Sequence, residues 1–134
     1  MNKKIMNKNI MNKKIGNTKP IRKEKSIENS IKSYLKTVPC LFYWKEHGGM
    51  YGTAGIPDLI ICYRGRFIAL EVKTEIGKPT VLQVMTIKKI KDAGGISTVV
   101  RGVIEVKTII EAVTDNKDVD NEKITELLAI QKFK

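Results

Sequence analysis

One histidine, His47, and two cysteines, Cys40 and Cys62, are all that the 134-residue chain offers of these types. So small a set excludes two-histidine metal motifs and the 2-His-1-carboxylate triad. A lone spaced pair of thiols is neither a disulfide framework nor a zinc site, and both read as small buried hydrophobes. No GxxxxGK[ST] stretch occurs, which excludes a P-loop, and no nucleotide cofactor is expected. No apolar run approaches the roughly 18 residues of a membrane span. No apolar stretch follows the basic start, so a secretory signal is not expected. These absences predict one soluble domain in a reduced, cytoplasmic setting, without a membrane partner.

Positive charge is what the chain has in excess. There are 25 Lys+Arg against 14 Asp+Glu, a formal net of +11. Residues 1–25 hold nine of the basic residues and one acid, Glu24, so the tail alone carries +8. It repeats Met1-Asn-Lys-Lys-Ile5, Met6-Asn-Lys-Asn-Ile10, Met11-Asn-Lys-Lys-Ile15. A five-residue period keeps apolar side chains on neither a helical nor a strand face. Three copies make no solenoid. Residues 1–25 therefore read as a low-complexity, disordered arm, whose charge would add salt-dependent affinity for phosphate backbones.

Beyond the tail, Ser26 looks like an N-cap, with Ile27, Ile31, Tyr34 and Leu35 at helical spacing and a stop before Pro39. Cys40–Lys45 reads as a strand. His47–Gly55, with four glycines in nine residues, reads as a loop. Leu59–Tyr63 and Phe67–Lys73 are apolar strands joined by a tight Arg64-Gly65 turn. Both their faces are apolar, which calls for helices on both sides of the sheet. Thr80-Val-Leu-Gln83 has the form of a capping box after Pro79, and Gly94-Gly95 ends that helix. Ile96–Arg101 is a further strand. Val103 to Val113 suggests a helix, Asp115–Glu122 an acidic linker, and Ile124, Leu127 and Leu128 a final amphipathic helix. The order is α-β-β-β-α-β-α plus a C-terminal helix, an α/β domain over 26–114 followed by 115–134.

The stretch that carries chemistry is Gly55-Ile-Pro-Asp58, twelve intervening residues, then Glu71-Val-Lys73. Glu71 and Lys73 lie two apart on a strand and share a face. A carboxylate and an ammonium on a buried apolar strand are costly to desolvate unless compensated. A two-residue turn at Arg64-Gly65 sets Asp58 opposite Glu71 on that face, whereas a three-residue turn would point Asp58 away. Two such carboxylates suit Mg²⁺ or Mn²⁺, hard cations that prefer oxygen ligands and assist phosphodiester hydrolysis. Lys73 is placed to orient the attacking water or to stabilise developing charge.

With these residues in view, the chain resembles the VRR-NUC family, the virus-type replication-repair nucleases of the PD-(D/E)xK superfamily. Gly55-Ile-Pro-Asp58, Glu71-Val-Lys73-Thr74, Gly77, Gln83 and Gly94-Gly95 carry the resemblance, which runs from about Ser26 to Val113. It implies a restriction-endonuclease-like core, a mixed four-stranded sheet flanked by helices. It implies Asp58, Glu71, Lys73 and Gln83 as catalytic residues. It further implies a Mg²⁺ or Mn²⁺ site formed by Glu28, Asp58, Glu71 and the Val72 backbone carbonyl. For a stand-alone member of this size it implies a homodimer acting on branched DNA such as four-way junctions, with a phage or prophage origin.

Lys45, Lys78 and Lys88 are candidate contacts to DNA. Arg64 and Arg66 flank the hairpin tip and read as solvated, Trp44 and Tyr43 as packing residues, and His47 as a loop residue. Two other readings compete: a restriction-type or end-processing nuclease, and a non-catalytic DNA-binding module with a relic nuclease core.

Overall fold

The computed structural model describes residues 20–47 and 54–133; the repeats of the tail and residues 48–53 of the glycine-rich loop lie outside them. Helix α1 (Glu24–Leu35) is followed by strands β1 (Leu41–Lys45), β2 (Leu59–Tyr63) and β3 (Arg66–Val72). Then come α2 (Val81–Asp92), β4 (Ile96–Val100), α3 (Val103–Asp115) and α4 (Asn121–Gln131). The strands form one mixed sheet in the order β1-β2-β3-β4, antiparallel except for the β3–β4 pair. This is the α/β architecture that the sequence predicts. Among the described residues no helix is long and apolar enough to cross a membrane.

The register of the central hairpin follows from its turn. Arg64 and Gly65 have φ of 53° and 77°, the left-handed pair that a two-residue type I′ turn requires. Tyr63 therefore pairs with Arg66, and Leu59 with Leu70. One step further along the same register, Asp58 falls against Glu71.

The pleat then sorts side chains to two faces. Leu59, Ile61, Ile68, Leu70 and Val72 face α1 and α3, which bury Ile27, Ile31, Leu35, Val106, Ile109 and Val113 against them. Ile60 and Ala69 on the other face are also buried, and α2 covers β3 and β4 there with Ile87. That second cover is incomplete. Phe42, Trp44 and Phe67 are 65%, 44% and 45% exposed, and Cys62, paired across the strands with Phe42 and Phe67, is exposed with them. Cys40 is exposed too, in a turn with φ of 58°. The expectation that both thiols are buried is thus corrected: one lies in a turn before β1, the other on the part of the sheet that α2 does not reach. Tyr43 packs on the core, whereas Trp44 lies outside it and donates to Glu46 at 3.1 Å.

Several boundaries also differ from expectation. α1 begins at Glu24, with Lys23 at its N-cap, so Ser26 lies inside the helix. Glu24 in the first turn complements the helix dipole and extends the helix past the serine. α3 runs through Asp115, and Asp120 caps α4 by accepting the Lys123 N–H at 2.7 Å, so the acidic linker shortens to residues 116–120. α4 packs back on α3 and buries Ile124 and Leu128. Arg66 is not a solvated tip residue. Its guanidinium donates to the carbonyls of Gly94, Lys117 and Val119 at 3.3, 2.8 and 2.6 Å. Asn121 adds a second tie, donating to the Gly95 carbonyl and accepting the Ser97 N–H.

Candidate active site

The charged residues collect where β2 begins and β3 ends. Gly55, with φ of 84°, brings the chain to Asp58 hard against α2: a Cβ there would stand 2.8 Å from Thr86 Oγ1 and 2.9 Å from Leu82 Cγ. No other residue suits that approach. Asp58 Oδ2 accepts the Val72 N–H at 2.8 Å, which locks the carboxylate to the end of β3. The Glu46 N–H bonds the Asp58 carbonyl at 2.8 Å, so the end of β1 is held at the same point.

Glu71 is 2% exposed. Its Oε1 accepts from Gln83 Nε2 at 2.9 Å and lies 3.5 Å from Lys73 Nζ. Its Oε2 is buried with no hydrogen-bond partner. Burial and the neighbouring Asp58 carboxylate push the Glu71 carboxyl up to about 7, against the pull of Lys73. Gln83 performs two tasks with one side chain. Its Oε1 accepts the Thr80 N–H at 2.9 Å in the capping box, while its amide nitrogen reaches Glu71.

Glu28 comes from α1 and is buried. Oε1 takes Lys45 Nζ at 2.6 Å, and Oε2 takes Lys32 at 3.1 Å and Lys25 at 3.4 Å. Burial alone would raise its carboxyl, but the bonds to Lys45 and Lys32 outweigh this and hold it at about 2. Lys45 also donates to Asp58 Oδ1 at 3.0 Å. Burial lowers the Lys45 ammonium, and its bonds to Glu28 and Asp58 more than restore it, so the net shift is upward.

The structure therefore brings Asp58, Glu71, Lys73 and Gln83 together and links Glu28 to them through Lys45. Lys78 and Lys88 are both exposed, and Lys88 pairs with Asp92 at 2.9 Å. Sequence reasoning missed the scaffold behind Lys73. Arg101 donates to the carbonyls of Thr74 and Gly77 at 2.6 Å each, pinning the turn that follows Lys73. Arg22 pairs with Glu75 at 3.1 Å and donates to the Arg101 carbonyl. No local pattern signals bonds between residues so far apart in the chain.

Among the described residues no three His, Cys, Asp or Glu side chains cluster closely enough to hold a metal by themselves. The acidic groups that do meet are the carboxylates of Asp58 and Glu71. A buried carboxylate oxygen without a partner calls for a compensating group. The unpartnered Glu71 Oε2, with the Asp58 carboxylate beside it, is a donor type that would suit a hard divalent cation.

The fold is thus a mixed sheet with an acid at the start of one hairpin strand and Glu-x-Lys at the end of the other. A solved structure described as a VRR_NUC domain matches with a TM-score of 0.56 and 26% identity, covering 66% of this chain and 94% of that one. A second, described as a VRR_NUC domain protein, shares the fold with a TM-score of 0.56 and 19% identity over 75% of this chain and 93% of that one. The chain is thus similar in fold to VRR_NUC domains, and the 26% identity to the first of them supports a nuclease-type domain. No family model and no curated protein matches the sequence.

Proposed function

We propose that this protein is a divalent-metal-dependent DNA endonuclease that acts as a homodimer on branched DNA such as four-way junctions. The observation that carries the reading is the convergence of Asp58, Glu71, Lys73 and Gln83 around one uncommitted buried carboxylate oxygen. Glu71 Oε2, Asp58 and the Val72 carbonyl would hold Mg²⁺ or Mn²⁺, which when bound supplies charge relief at the phosphate and an activated water.

The chain's own residues do the rest. Val72 N–H and Gln83 fix the two carboxylates in place before substrate arrives. Lys73, 14% exposed at its side chain, is held by Glu71 on the rim, where its ammonium meets the scissile phosphate or the attacking water. Arg101 stops the segment after Lys73 from swinging away. The basic residues of positions 1–19, outside the described residues, add salt-dependent backbone affinity. Pairing of two copies is supported by α2, which exposes Val81, Leu82, Val84 and Met85 beside the site. A two-fold protein presents two sites to a two-fold junction.

The test is cleavage of an end-labelled four-way junction, a splayed fork and a linear duplex with Mg²⁺, Mn²⁺ or EDTA. Metal-dependent, symmetric nicking of the junction is expected, with Asp58→Ala and Lys73→Ala slower by roughly 100-fold or more while still binding DNA. Cutting of fork or linear DNA alone would move the activity to end processing or restriction. Tight binding without cutting on any substrate would leave a binding module.

A further inference from the structure

We propose that Lys45 is a built-in counter-cation of the acid cluster, which bridges Glu28 and Asp58 in the metal-free protein and must give up Asp58 when a divalent cation binds. The inference rests on the nuclease reading and adds to it a residue that sets metal affinity.

Of the four carboxylate oxygens of Asp58 and Glu71, three have partners and Glu71 Oε2 has none. Asp58 Oδ2 is bonded to the Val72 N–H. Its other oxygen, Oδ1, holds Lys45 at 3.0 Å. Glu71 Oε1 is shared between Gln83 and Lys73, and Oε2 has no partner. A cation lodged between Asp58 and Glu71 thus finds an open oxygen on Glu71 and an occupied one on Asp58. It also meets the ammonium that occupies it, and two positive charges at one half-buried carboxylate repel.

Lys45 has a place to retreat to. Glu28 holds it at 2.6 Å, the shorter of its two bonds, and Glu28 is itself 5% exposed and steadied by Lys32. The β1 backbone need not move, because the Glu46 N–H to Asp58 carbonyl bond fixes the strand end independently of the side chain. Glu28 then acts through Lys45, as the acid that holds the displaced ammonium.

The test measures Mn²⁺ binding to the full chain without DNA, by calorimetry and by loss of the free-ion paramagnetic resonance signal. The parent, Lys45→Met and Lys45→Arg are compared. Met keeps the apolar stem and removes the charge; Arg keeps the charge. Lys45→Met is expected to bind Mn²⁺ tighter by roughly 5-fold or more, in the range of ordinary site-to-site coupling. It should also gain a larger rise in melting temperature from Mn²⁺ than the parent, while Lys45→Arg gains neither. Should Lys45→Met not fold, Lys45→Gln takes its place. A folded neutral variant that binds Mn²⁺ no tighter than the parent overturns the inference and leaves the nuclease reading standing. So does an arginine variant that tightens as much as the neutral one. A parent that binds no Mn²⁺ and cuts no substrate overturns both.

Discussion

At the scale of single residues, two buried acids of one cluster respond to pH in opposite directions. Glu71 has a folded value of about 7, above that of an unfolded chain, so unfolding favours its ionised form. Its unfavourable contribution therefore sets in as pH rises from about 4.5 and is complete above about 7. Glu28, held at about 2, is the reverse: it stabilises the fold above about 4.5, and this is lost as pH falls towards 2. In metal-free protein, the melting temperature of Glu71→Gln relative to the parent should rise between pH 5 and pH 8. That of Glu28→Gln should be lower than the parent at pH 7 and converge with it near pH 2. Parallel pH curves for parent and variant would refute the corresponding assignment. Asp58, Glu71 and Lys73 were legible because a strand's two-residue period and a two-residue turn fix which side chains meet. The role of Lys45 was not legible: its partners lie on α1 and at the start of β2, 17 and 13 residues away, and only the packed sheet brings them together.

At the scale of elements, the start of α2 joins stability to the site. Thr80 and Gln83 cap the helix reciprocally, and the same glutamine steadies Glu71. Thr80→Ala should cost about 1 kcal/mol of stability, read from chemical denaturation. It should change cleavage little, because the Gln83 side chain accepts the backbone N–H of residue 80, which alanine keeps, and not the lost hydroxyl. Gln83→Ala should lose more activity than Thr80→Ala at a similar stability cost, and equal losses would mean that the cap alone matters. The capping box was readable because its signal is local, four residues long. The start of α1 was misplaced because Ser26 has the right chemistry for a cap, while the structure extends the helix to Glu24. Likewise the apolar β2 and β3 announced cover on both faces, but periodicity cannot say how far one helix reaches across a four-stranded sheet.

At the scale of the whole molecule, the proposed pairing of two copies is assigned to the exposed side of α2. Val81, Leu82, Val84 and Met85 are 78%, 47%, 51% and 51% exposed, and together they span one side of the helix. Neighbouring exposed apolar side chains are the surface type that the proposed dimer would bury. The parent should sediment as a dimer, and Met85→Glu should shift it to monomer with the fold intact by circular dichroism. An unchanged mass in that variant would rule out this face.

Arg66, beside the hairpin turn, bears on the molecule as a whole. One guanidinium gathers carbonyls from the turn before β4 and from the segment leading into α4, while its own backbone begins β3. The last helix of the chain is thereby enlisted in the same cooperative unit as the central sheet. Its buried amides should exchange with solvent at the pace of global opening, and not at the faster pace of a fraying terminus.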